Sequence, residues 1–105
     1  MRRGDLRRAL ALVRRRTYRA PPMHVGLMEK PDCHLCAEAH RALRRIALER
    51  PLEIERVDIA SLGGADHDRY ALRIPVLVAD GEELDAAGLE DAAILRWLRQ
   101  VAREA

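Results

Sequence analysis

The stretch Lys30-Pro31-Asp32-Cys33-His34-Leu35-Cys36 holds the only two cysteines of the chain, where a strand-like run gives way to a helix-like one. A thiol in the first turn of a helix faces backbone N–H groups that lack an intrahelical partner and the positive end of the helix dipole. Both favour thiolate over thiol. A second cysteine three residues on shares that helix face and is within reach to close a disulfide. On its residues alone the stretch reads as a redox pair at a strand-to-helix junction.

The surrounding pattern alternates strand and helix. Residues 23–28 form a short, largely apolar run suited to a buried strand, and Lys30-Pro31-Asp32 stops it. A helix is predicted over residues 33–49, with Leu35, Ala39, Leu43 and Ile46 on one face, and Pro51 bars its continuation. A second strand spans residues 52–59. Its alternation slips at Arg56, which implies either a bulge or burial on both faces. After Gly63-Gly64 a short helix is expected over residues 66–72, then two strands, 76–79 and 82–85, joined by Asp80-Gly81 as a hairpin. A last helix over residues 89–104 carries Ile94, Trp97, Leu98 and Val101 as a core stripe. The order is β-α-β-α-β-β-α. Right-handed crossover packing puts the first strand centrally, beside the second and third, with Cys33 at its carboxyl end, where α/β ligands usually bind.

At 105 residues the chain has room for one domain with a modest core. Its aromatic share is 3%, with no Phe, so Leu, Ile, Val and Ala must fill the interior. The formal charge of +2 conceals an asymmetry: residues 1–20 carry eight Arg against Asp5, a net +7, which leaves −5 for residues 21–105. Arg outnumbers Lys 18 to 1 and Asn is absent, a bias that fits a GC-rich genome or adaptation to heat. No secretory signal is read, because the longest apolar run near the start, residues 9–13, is short and lies between arginines. The expectation is a cytoplasmic protein without a membrane span. In that compartment a two-cysteine motif is catalytic or metal-binding rather than a structural staple.

Four marks together resemble the thioredoxin-fold superfamily, and within it a glutaredoxin-like bacterial group of small proteins. They are the 30–36 stretch, Ile74-Pro75-Val76 opening the third strand, the Asp80-Gly81 hairpin, and Gly88-Leu89-Glu90-Asp91 opening the last helix. The resemblance covers residues 23–101 and implies a thioredoxin-like α/β fold, a four-stranded mixed sheet with helices on both faces. It implies a cis peptide between Ile74 and Pro75 that faces the cysteines and leaves the amide and carbonyl of Ile74 to pair with an extended thiol substrate. The plain alternative is a trans proline at a strand edge. In glutaredoxins the start of the last helix holds the γ-glutamyl end of glutathione, which maps onto Leu89, Glu90 and Asp91; simple helix capping is the alternative. Lys30, three residues before Cys33 as in many glutaredoxins, supports a thiolate or receives a substrate carboxylate, while Asp32 acts in the opposite sense. His34 either stabilises the Cys33 thiolate when protonated or is a polar residue on an exposed turn. His34-Leu35 stands where glutaredoxins usually have Pro-Tyr. Arg73 either clamps an anionic substrate or forms a surface salt bridge.

Three functions follow from these residues. The first is a thiol–disulfide oxidoreductase in which Cys33 attacks a protein or glutathione mixed disulfide and Cys36 resolves the intermediate. That reading expects no resident metal or cofactor, glutathione as co-substrate, a disulfide-containing protein or glutathione as partner, and a monomer. The second is metal or iron-sulfur binding: Cys33, Cys36 and His40 fall at i, i+3 and i+7, although a structural zinc needs a fourth ligand and there is no second cysteine pair. The third is a docking module that keeps the fold and uses its surface.

Residues 1–22 form a basic N-terminal extension ahead of a domain over residues 23–105. Leu6, Leu10 and Val13 make a narrow apolar stripe on a basic helix that ends at Pro21-Pro22. Such an arm could touch an anionic surface, lie solvated or loosely docked, or precede a start at Met23; with no aromatic platform beyond Tyr18, nucleic acid is disfavoured. Because residues 23–105 hold every element of the β-α-β-α-β-β-α order, deleting residues 1–22 should leave a cooperative urea transition at little cost in stability. A loss of cooperativity would place the arm in the core.

Overall fold

The computed structural model describes residues 21–104, so the expected basic helix with Leu6, Leu10 and Val13 lies outside the described residues. The elements are β1 Met23–Glu29, α1 His34–Ile46, β2 Leu52–Asp58, a 3-10 turn Ile59–Ser61, α2 Gly64–Tyr70, β3 Val76–Ala79, β4 Glu82–Asp85 and α3 Asp91–Glu104. Their order is the predicted β-α-β-α-β-β-α. Among the described residues no helix is long and apolar enough to cross a membrane.

The sheet runs β2-β1-β3-β4, with β1 central, parallel to β2 and antiparallel to β3. Seven consecutive pairs, from Met23↔Leu52 to Glu29↔Asp58, join β1 and β2 without a bulge. The slip at Arg56 therefore reflects burial on two faces: Leu52 and Ile54 pack into the larger core and Val57 into the smaller one. The larger core lies between the sheet and the helices α1 and α3, and unites Val25 and Leu27 with Leu43, Leu77, Ile94 and Leu98. On the opposite face Met28, Ile59 and Val76 meet Tyr70, Ala71 and Ile74. The β3–β4 turn is the Asp80-Gly81 pair, at φ 49° and 80°. Both central residues of this tight hairpin lie in the left-handed region, where Gly is at ease and Asp is tolerated.

Helix α1 starts one residue after Cys33, which is its N-cap, and ends at Ile46. Beyond it the chain tightens into i→i+3 bonds, Leu48 N–H to Arg45 O at 3.2 Å and Glu49 N–H to Ile46 O at 3.0 Å, so the predicted end at Glu49 becomes a turn into Pro51. Leu35, expected on the core face, is 42% exposed. The buried stripe is Cys36, Ala39, Leu43 and Ile46 with Ala42, and Leu35 sits about 100° around the helix from Cys36. Trp97 is half-buried at the rim of the core formed by Ile94, Leu98 and Val101. Leu98 has no solvent exposure. Truncating it to Ala should cost about 2–5 kcal/mol, read as a lower urea midpoint at unchanged m-value.

Candidate active site

β1 leads through Lys30-Pro31-Asp32 into α1, and Asp32, at φ 60°, turns the chain so that Cys33 becomes the N-cap. The Cys33 Sγ accepts a hydrogen bond of 3.2 Å from the Cys36 amide, a donor with no partner inside the helix. Cys33 and Cys36 are joined as a disulfide with Cα atoms 5.2 Å apart. Cys33 is half-buried, whereas Cys36 is 1% exposed and belongs to the stripe that faces the sheet. Cys33 is therefore the more accessible of the two, with Cys36 behind it toward the interior.

Cys33 lines an open cavity of about 550 Å³ whose walls come from β1, β2 and the start of α1. The strand ends supply Glu29, Arg56 and Asp58, the turn supplies Lys30 and Asp32, and α1 supplies His34. The Glu29 carboxylate is 11% exposed and bidentate with Arg56, from Nε to Oε2 at 2.6 Å and from Nη2 to Oε1 at 3.1 Å. Asp58 caps the 3-10 turn by accepting from the Ala60 amide at 2.9 Å. His34 lies on the exposed first turn of α1, its Nε2 2.7 Å from Glu38 Oε2. His40, one turn beyond Cys36, is held below the usual histidine pKa by burial and then by the Arg56 guanidinium, with Glu29 opposing. Among the described residues no group of three or more His, Cys, Asp or Glu is arranged to hold a metal ion.

Ile74 and Pro75 approach the same end of the sheet from the other side. The bond between them is cis, and Val76 pairs with Met28 near the carboxyl end of β1. The expected availability of the Ile74 amide needs correction: it donates to Tyr70 O at 3.1 Å, because the chain keeps winding past the end of α2. Arg73 is committed as well. It donates to Glu83 at 2.9 Å and Asp85 at 2.8 Å, and Arg69 and the Tyr70 hydroxyl add further bonds to Glu83. Of the two alternatives for Arg73, the folded chain forms the salt bridge.

The start of α3 stands apart from Cys33. Glu90 opens the helix by accepting from the Ala93 and Ile94 amides at 3.0 and 3.2 Å, and Leu89 is exposed in the preceding loop. Asp91 is bidentate with Arg45 of the last α1 turn, at 2.8 and 2.9 Å. Both line a second cavity, of about 740 Å³, with Met23 and Pro51 at the opposite end of the sheet. Lys30, Cys33 and His34 are thus brought together, Ile74 and Pro75 lie at the same sheet end, and Asp91 does not join them. Glu29, Arg56 and Asp58 were not anticipated as site residues. Their available signal was a charge ending an apolar strand just before the cysteine turn, matched by the arginine at which the second strand slips.

The profile of the family described as Glutaredoxin-like domain (DUF836) matches residues 24–99. The chain belongs to the glutaredoxin-like domain family. The solved X-ray structure of Northeast Structural Genomics target protein XcR50 from X. campestris is similar at 32% identity and a TM-score of 0.61, over 72% of this chain and 96% of that one. No curated protein matches. In this glutaredoxin-like domain the Cys33–Cys36 pair at disulfide distance fits a thiol redox role.

The Arg73–Glu83 contact ties β4 to the segment just before Ile74-Pro75, and its strength depends on pH. Burial opposes ionisation of Glu83, but the hydrogen bonds from Arg73 and Arg69 outweigh it and hold the carboxyl below its ordinary value. A carboxyl depressed in the folded state stabilises above its unfolded pKa, and that contribution is lost as pH falls through the native one. Glu83→Gln should therefore be less stable than the wild type at neutral pH, and the gap should close as the pH is lowered from about 5 toward 3. Urea denaturation across that range reads the effect; a gap that stays constant with pH would refute it.

Proposed function

We propose that the protein is a thiol–disulfide oxidoreductase that reduces disulfides of proteins or glutathione mixed disulfides. The observation that carries this reading is the asymmetry of the pair: Cys33 is half-buried at a helix N-cap with an amide donating to its sulfur, and Cys36 is buried behind it. In the reduced protein the Cys33 thiolate attacks one sulfur of the substrate disulfide. A mixed disulfide forms and the first substrate thiolate departs. Cys36 then gives up its proton and attacks Cys33 Sγ, expelling the second substrate thiolate. Two electrons have passed to the substrate and the Cys33–Cys36 disulfide remains, the state described here. Glutathione or a protein dithiol returns the pair to the reduced form by the reverse exchange. No resident cofactor is needed, and the chain acts as a cytoplasmic monomer in this reading.

The Cys36 amide that donates to the Cys33 sulfur and the dipole of α1 favour its ionisation, so Cys33 should be alkylated by iodoacetamide before Cys36, with a rate that titrates below the value of about 8.5 for an ordinary thiol. Cys36→Ser should still attack the substrate disulfide through Cys33 but fail to resolve the intermediate, so a mixed disulfide on Cys33 should accumulate and be seen by mass. Cys33→Ser should lose both steps. Reductase activity in Cys33→Ser, or faster alkylation of Cys36, would overturn the mechanism.

A further inference from the structure

Cys33 is flanked on two sides. β3 with Ile74-Pro75 lies on one, and on the other is the cavity bounded by the carboxyl ends of β1 and β2. All of the cavity's lining residues come from β1, β2, the turn between β1 and α1, and the first turns of α1. At about 550 Å³ it is of the size that takes a ligand, and the residue proposed to attack, Cys33, is part of its lining.

The charges that line it are not equivalent. Glu29 and Arg56 are spent on each other through a bidentate pair. His34 is spent on Glu38. Asp32, Asp58 and Lys30 remain: none of the three enters an ion pair among the described residues, although one Asp58 oxygen already accepts from the Ala60 amide. Two carboxylates against one ammonium make a wall that favours a cation. Pro31 and Ala37 in the same lining offer apolar surface for the methylene stem of a long basic side chain. Glutathione, with two carboxylates and one ammonium, meets this wall with the wrong balance.

We infer that this β2-side cavity is a substrate subsite for the polypeptide flank of a disulfide, selecting a lysine or arginine beside the target cysteine. The inference rests on the oxidoreductase reading and adds its substrate class: basic protein disulfides in preference to anionic low-molecular-weight ones. The contacts are partly solvated, so the selection expressed in kcat/KM is moderate and fades with salt.

The test uses the full chain and two disulfide-bonded reporter peptides that differ only by Lys or Glu two residues from the cystine. The Lys peptide should be reduced with a kcat/KM about three- to tenfold higher at low ionic strength, the difference residing in KM and shrinking as salt is added. Asp32→Asn with Asp58→Asn should bring the two rates together. Both changes spare the backbone, since Asn tolerates the positive φ of residue 32 and its side-chain oxygen can still accept from the Ala60 amide. Asp32→Lys with Asp58→Lys should reverse the preference. Equal rates for the two peptides in the wild type, or a preference that survives both double variants, would overturn the subsite and leave the oxidoreductase standing. Failure to reduce either peptide would overturn the redox reading and the subsite with it.

Discussion

The parallel ladder between β1 and β2 governs where everything else can lie. Its seven pairs hold β1 at the centre of the sheet, and parallel strands cannot be joined by a tight turn, so the chain must return along a crossover. α1 is that crossover. Its start is therefore forced to the carboxyl end of β1, and the residue that caps it, Cys33, is presented there with the first-turn amides behind it. The same register sets Asp58 opposite Glu29 and Arg56 opposite Leu27, two residue pairs back from the strand end. A long side chain at 56 can then reach forward to the Glu29 carboxylate. Reactive sulfur, ion pair and cavity are consequences of one pairing.

That arrangement places acids close to a sulfur proposed to work as a thiolate, and the distances of action decide the outcome. The Cys36 amide bonds the Cys33 sulfur directly, at 3.2 Å, and the α1 dipole adds to it within the first turn. Glu29 is the most buried of the nearby carboxylates, where Coulomb repulsion would be least screened. Its bidentate bond to Arg56 cancels most of that field. Asp32 and Asp58 are exposed, and water and salt screen them. The ion pair thus lets a carboxylate lie beside the cysteine turn without opposing ionisation of the thiol.

What could be read from residues alone was whatever has a local cause. Strand and helix order followed from periodicity and breakers, the hairpin from Asp80-Gly81, and the start of α1 near Cys33 from the Lys30-Pro31-Asp32 breaker. The family resemblance added the cis bond at Ile74-Pro75. The misplacements have long-range causes. Leu35 looked like a core residue until Cys36 and Ala39 fixed which helix face meets the sheet. The Ile74 amide looked available until the turn after α2 claimed it. Asp91 lies 46 residues from Arg45, and only packing of α1 against α3 brings them together. Glu29 and Arg56 lie 27 apart and meet only through the β1–β2 register.

The two flanks of Cys33 differ in how much of their polar capacity is already committed. On the β3 side Arg73 is locked between Glu83 and Asp85, and the Ile74 amide is bonded to Tyr70. The acid at the start of α3 has been drawn by Arg45 toward the far end of the sheet. Groups so engaged give a rigid backbone edge but little charge-based choice among substrates, since recruiting them means breaking charge-assisted bonds. On the β2 side the spent pair, Glu29–Arg56, forms a fixed wall, and the charges beside it still face solvent. Selectivity in a site of this kind arises where polar groups remain unspent, which is why the proposed subsite lies on the flank opposite the cis-proline loop.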